Sequence, residues 1–110
     1  MRWALVMLCG CSGGASGKLA LSWQFADGRR CPDTGAAAIS IQIDQRAAEK
    51  HHCDEGVAPA AVTLQPIAAG GATIVVEALS TEAAPLYSGR LELDALPSAA
   101  MVTLYADKMR

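Results

Sequence analysis

The richest group of side chains able to do chemistry is the segment Lys50-His51-His52-Cys53-Asp54-Glu55. Imidazole and thiolate groups are common ligands of zinc and copper ions. Adjacent residues of an extended strand point to opposite faces, however, so His51 and His52 do not readily share one metal ion. Cys53 also has a competing role in a disulfide. We therefore predict no metal site and interpret the segment as a polar loop. A carrier of a metal ion or small ligand that uses His51 and His52 is the alternative.

No other residues form a recognisable catalytic or cofactor-binding pattern. The sequence has neither a P-loop nor the H-E-x-x-H motif of zinc peptidases. Asp27, Asp33 and Asp54 would surround a calcium ion only if their loops met, and their spacing matches no calcium-binding loop. We predict no catalytic residue and no cofactor, and we therefore do not expect an enzyme.

The N-terminus has the layout of an export signal. Arg2 gives a positive start, residues 3–9 form a short apolar run, and Gly10 and Cys11 follow. The tetrapeptide Leu8-Cys9-Gly10-Cys11 resembles the lipobox of bacterial lipoproteins. In that family the last cysteine takes a diacylglyceryl group, the signal is cut before it, and the new amine is acylated, for example with palmitate.

This resemblance implies that Cys11 is lipidated and anchors the protein to a membrane. Residues 1–10 are then the signal peptide, residues 11–17 the lipidated cysteine with a flexible Gly/Ser tether, and residues 18–110 the folded domain. Ser12 is similar to the residue that follows the cysteine in lipoproteins sorted to the outer membrane, where the host has two membranes. The alternative is a cytoplasmic protein whose N-terminus is a hydrophobic strand.

The cysteine count favours an oxidising compartment. Of the four cysteines, Cys9 leaves with the signal and Cys11 carries the lipid, so that Cys31 and Cys53 remain. Two such cysteines pair by default in an oxidising compartment. Cys31 precedes a predicted strand and Cys53 lies about nine residues after it, so both lie at one end of that strand. We predict a Cys31–Cys53 disulfide, with two separate buried thiols as the alternative.

Alternation of apolar and polar residues predicts an all-β domain. Trp23 and Phe25 belong to the buried side of the first strand, whereas Tyr87 and Tyr105 are expected to be partly exposed. Gly89 is the candidate for a bulge. Residues 45–52 could hold a helical turn, and residues 99–109 could form a helix, although a strand is preferred there. The predicted strands are residues 18–25, 37–44, 57–64, 73–79, 86–93 and 101–105.

The order of these motifs resembles that of small secreted bacterial lipoprotein domains of the transthyretin-like (prealbumin-like) or carboxypeptidase-regulatory-like type. The resemblance implies an Ig-like antiparallel β-sandwich of six or seven strands in the cell envelope, and it implies no activity. The motifs that carry it are a strand with Trp23, the turn Asp27-Gly28, Cys31, the Ile-x-Ile strand 39–43, Cys53-Asp54-Glu55-Gly56, the segment 69–76 and Leu86-Tyr87-Ser88-Gly89.

Length and charge limit the function further. A chain of 110 residues has room for one domain. Its formal net charge of -2 argues against a nucleic-acid partner, and no apolar run approaches the length of a membrane-spanning helix. We therefore expect a lipid-anchored, non-catalytic envelope protein that binds an envelope protein or glycan or plays a structural role.

Overall fold

The structure, a computed structural model, describes residues 16–106. The predicted signal, Cys11 and most of the predicted tether lie outside these residues. Within the described part of the chain, no helix is long and apolar enough to cross a membrane. The all-β prediction is confirmed. The elements are β1 (Ser16–Phe25), α1 (Cys31–Thr34), β2 (Ala38–Ile43), β3 (Glu49–His51), β4 (Val62–Ala68), β5 (Ala72–Leu79), β6 (Pro85–Leu93) and β7 (Ala99–Ala106).

The strands form one seven-stranded sheet in the order β3-β2-β5-β6-β7-β1-β4, curled into a half-barrel. The sheet is mixed, because β1 runs parallel to β7 while the other strand pairs are antiparallel. The predicted all-antiparallel arrangement is therefore wrong at this one pair. Apolar alternation along a strand is the same in both orientations, so it did not distinguish them.

The ladder between β6 and β7 is the shortest in the sheet. These strands share only two residue pairs, Tyr87 with Ala106 and Ser88 with Tyr105. The strands β3-β2-β5-β6 thus lie on one side of a narrow junction and β7-β1-β4 on the other. At the far end of the curl, Nη1 of Arg46, which follows β2, donates to the carbonyl oxygen of Pro66 in β4 at 2.6 Å. This bond joins two parts of the sheet that lie near its opposite edges.

The concave side of the sheet holds the core, which is filled mainly by aliphatic side chains and by Trp23 and Phe25, as predicted. None of the described polar or charged residues is buried. The fully buried large side chains are Trp23, Leu19, Leu21, Ile39, Ile41, Leu64, Ile67, Ile74, Leu104 and Val76.

Several boundaries differ from the predicted ones. The expected strand at 57–64 is displaced to β4, and Val57 forms only an isolated parallel bridge with Trp23. The suggested helical turn at 45–52 contains β3 instead, and the C-terminal segment is the preferred strand, β7. The helix α1 was not predicted. It begins with Pro32 in its first turn and ends at Gly35, whose φ of 79° suits a left-handed cap.

The bulge in β6 lies at Leu86 and not at Gly89. Ala78 pairs with Tyr87, whereas Leu79 pairs with Pro85, which leaves Leu86 without a counterpart. Gly89 has a different role, since it lies opposite Val76, whose side chain faces the core. A Cβ atom at this position would lie 2.6 Å from the carbonyl oxygen of Thr103. The missing side chain therefore lets β7 approach β6 closely.

We expect Gly89→Ala to destabilise the protein by about 1–3 kcal/mol, because the new methyl group overlaps β7 backbone that cannot simply move aside. Gly70→Ala is the matched control, since a Cβ at Gly70 meets no atom within 4 Å. The free energy of unfolding from urea titration measures both. Equal stability of the two variants would contradict the close approach.

Candidate functional site

A disulfide anchors the end of the domain where β1 ends and β2 begins. Cys31 in α1 is bonded to Cys53, with their Cα atoms 5.9 Å apart, which confirms the predicted pair. The β2–β3 hairpin makes the bond geometrically feasible. Ile39 pairs with His51, so the chain returns beside the start of β2 shortly before Cys53.

Trp23 holds the loop that carries Cys53 against β1. Its indole Nε1 donates to the carbonyl oxygen of Cys53 at 2.9 Å, and its backbone N–H donates to the carbonyl oxygen of Gly56 at 2.9 Å. A Cβ atom on Gly56 would lie 2.5 Å from the indole ring, so glycine lets the loop lie flat on it. The loop is thus fixed to β1 by hydrogen bonds and to α1 by the disulfide.

His51 lies between two carboxylates. Its Nδ1 is 2.9 Å from Oε1 of Glu55, and its Nε2 is 3.2 Å from Oε1 of Glu49. The two nitrogens point to opposite sides of the imidazole ring, so one metal ion cannot replace both contacts. The turn 53–56 is therefore tied to β3 by a side-chain contact in addition to the bonds made by Trp23.

The predicted polar segment borders an open depression of about 270 Å³. It is lined by Ala37, Ala38, Lys50, His51, His52 and Glu55. Among residues 16–106, no three His, Cys, Asp or Glu side chains are close enough to hold a metal ion together. Hence the structure brings His51 and Glu55 together, but assembles no three-ligand set around His52 or the three aspartates considered for calcium.

A buried tyrosine at the β6–β7 junction was not expected from the sequence. Tyr87 is 5% exposed, and its ring meets the edge of Phe25 with centroids 4.8 Å apart. Its hydroxyl donates to Oδ2 of Asp27 at 2.7 Å, and the Arg29 backbone N–H donates to Oδ1 of the same carboxylate. The placement of Tyr87 at an inward position of a strand was a signal that sequence reasoning could have used.

These contacts shift two pKa values in opposite directions. The Tyr87 hydroxyl, followed by the Arg29 backbone N–H, holds the pKa of Asp27 below its ordinary value of 3.8. Burial, followed by the hydrogen bond to Asp27, raises the pKa of Tyr87 above its ordinary value of 10.0. The pair therefore favours a protonated phenol and an ionised carboxylate.

We expect Cys31→Ser to lower the free energy of unfolding by about 3 kcal/mol, because the bond closes a loop across a separation of 22 residues in the unfolded chain. Chemical denaturation of the oxidised protein measures the loss. Reduction of the disulfide should lower the free energy of unfolding of the original protein by a similar amount. It should not change the free energy of unfolding of the Cys31→Ser variant. Peptide mapping without reduction that found Cys31 and Cys53 in separate peptides would refute the bond.

We expect Tyr87→Phe to destabilise the protein most near neutral pH. A lowered pKa of Asp27 means that its contribution is present above about pH 3.8 and is lost as the pH falls through the lower native pKa. The difference in the free energy of unfolding between the original protein and the Tyr87→Phe variant should therefore become smaller in acid. Above pH 10.0 the native protein alone should lose stability as Tyr87 ionises through its raised pKa.

Urea midpoints measured across this pH range test the pair. Tyr105→Phe is the matched control, because Tyr105 is 62% exposed, and it should show no such pH dependence. An acid-independent effect of Tyr87→Phe would show that the Asp27 contact adds no stability.

Comparisons of the chain with models of known protein families, with characterised proteins and with solved structures find no match. The transthyretin-like resemblance thus remains an expectation from the sequence.

Proposed function

We propose that the protein is a lipid-anchored, non-catalytic component of the bacterial cell envelope whose β-domain is a binding or structural module. The observation that carries this proposal is the Cys31–Cys53 disulfide. Disulfides persist in oxidising compartments such as the periplasm and are rare in the reducing cytosol. The bond supports export and counts against the alternative of a cytoplasmic protein with a hydrophobic N-terminal strand.

The N-terminal sequence supports lipid attachment as the means of retention. Leu8-Cys9-Gly10-Cys11 supplies the lipobox-like motif, and β1 begins at Ser16, so Ser12 to Ala15 remain as a short spacer. Two or three acyl chains at Cys11 would hold the protein stably, whereas one chain binds a membrane only marginally. Ser12 supports sorting to the outer membrane in a host with two membranes.

The direction of β1 supports presentation of one end of the domain to the surroundings. β1 has ten residues, so at about 3.3 Å per residue its two ends are roughly 30 Å apart. Ser16 would face the anchor, while Phe25 leads to the disulfide end. An anchored domain would hold the disulfide, the His51 depression and Tyr87 away from the bilayer.

We further propose that the curled sheet is an Ig-like or prealbumin-like β-sandwich. The two strand groups on either side of the β6–β7 junction enclose one core, and the β-ladder between β6 and β7 has only two residue pairs. An experimental structure in which the β6–β7 ladder extended along both strands would favour a single continuous curled sheet over this proposal.

We expect mass spectrometry of the protein from bacterial membranes to show an acylated N-terminal cysteine at Cys11. Cys11→Ser should remove the lipid and release the protein from the membrane fraction or leave its signal uncut. Cys9→Ser is the matched control, and it should be processed like the native chain because the motif accepts a small residue there. An unmodified Cys11 in the membrane fraction would overturn the proposed anchor.

A further inference from the structure

The two convex faces of the curled sheet differ in charge. On one side of the β6–β7 junction, the outward positions of β3, β5 and β6 carry charged side chains, namely Lys50, Glu77, Arg90 and Glu92. In β1, β4 and β7 the only charged residue is Lys18. We call the convex side of these three strands the neutral face.

The neutral face runs along β1, whose first half pairs with β4 and whose second half pairs with β7, so that the three strands lie side by side near Ala20. Ala20 pairs with Thr63 on one side and with Ala99 on the other, and Gln24 pairs with Thr103. The β1–β7 ladder runs without a register shift, from Ala20 with Ala99 to Phe25 with Leu104. Because alternate residues of these strands fill the core, the intervening ones form a regular row on the outside.

Two apolar side chains project from this face at β7. Met101 is 46% exposed and Tyr105 is 62% exposed, and they are the only large hydrophobic residues exposed within residues 16–106. They are four residues apart on one strand, or about 13 Å.

The remaining side chains of the neutral face are hydroxyls and amides. Nε2 of Gln24 donates to Oγ1 of Thr103 at 3.3 Å, and the amide oxygen of Gln24 can accept a further hydrogen bond. Ser22, Thr63 and Gln65 add groups of the same kind. The face therefore offers uncharged hydrogen bonding around one exposed aromatic ring.

These properties fit a neutral glycan better than the other occupants. The face is at most three strands wide, with neighbouring strands about 4.8 Å apart, which is narrow for a patch that must bury ~800 Å² per partner in a stable protein dimer. Anionic surfaces and nucleic acids need a cationic patch, and Lys18 alone does not provide one. A sugar ring, in contrast, places its C–H groups on an aromatic ring and its hydroxyls on amides and hydroxyls.

We propose that the neutral face binds an uncharged glycan chain, with one sugar ring stacked on Tyr105 and its neighbours hydrogen-bonded along β7 and β1. The proposal rests on the proposed role as a binding module and is independent of the lipid anchor.

Chemical-shift titration of the full-length Cys11→Ser chain tests the site. The probes are the neutral hexasaccharides of cellulose, chitin and mannan, and a hexamer of galacturonic acid is the charged control. At least one neutral probe should change the chemical shifts of the backbone amides in β7 and β1, whereas the charged hexamer should change these chemical shifts less. Tyr105→Ala should weaken binding about tenfold, as expected for the loss of an aromatic contact.

Two variants separate stacking from a general loss of structure. Tyr105→Phe keeps the ring and should keep most of the affinity. Lys50→Ala changes an exposed residue of β3, an edge strand that does not pair with β7 or β1, and should leave affinity unchanged.

The proposal fails if no neutral hexasaccharide changes the backbone amide chemical shifts of β7. It also fails if the Tyr105→Ala variant binds the sugar as tightly as the protein with Tyr105. It also fails if the same amides shift on dilution without sugar, since a second copy of the chain then covers the face. None of these three outcomes bears on the proposed anchor, because acylation of Cys11 is measured separately.

Discussion

The buried indole of Trp23 organises the end of the domain that carries the disulfide. Its Nε1 satisfies the carbonyl oxygen of Cys53, and its ring lies against Gly56. A buried carbonyl without a donor is costly, so this bond specifies where the loop must lie. The disulfide then only has to join Cys31 to a loop that Trp23 has already positioned. His51 and its two carboxylates depend on the same placement, because Glu55 belongs to that loop.

The junction between β6 and β7 depends on a second buried aromatic residue. Tyr87 packs against Phe25 at the end of β1 and reaches Asp27 in the following turn. It therefore links β6 to β1 at the point where the β6–β7 ladder is only two pairs long. Gly89 permits the close crossing just beyond it. Aromatic packing and a missing side chain together set a curl that the short ladder alone would not fix.

The strands were predictable because their alternation is strong. Ile39, Ile41 and Ile43 point inward as expected, and the disulfide followed from the cysteine count and that strand's direction. The β1–β7 pairing was not predictable, since nothing local records which distant strand lies alongside. The Asp27–Tyr87 hydrogen bond was not predictable for the same reason, because it joins residues 60 positions apart. Strand β3 is only three residues long, too short for an alternation to stand out.

The parallel pairing of the first described strand with the last has a consequence for how the chain folds. Gln24 and Thr103 bond across a separation of 79 residues, and one edge of β1 from Ala20 onward is covered only by β7. Contacts so distant along the chain form slowly, because a long loop must close before they are made. During synthesis, β1 therefore cannot complete its strand pairing until nearly the whole domain has been made.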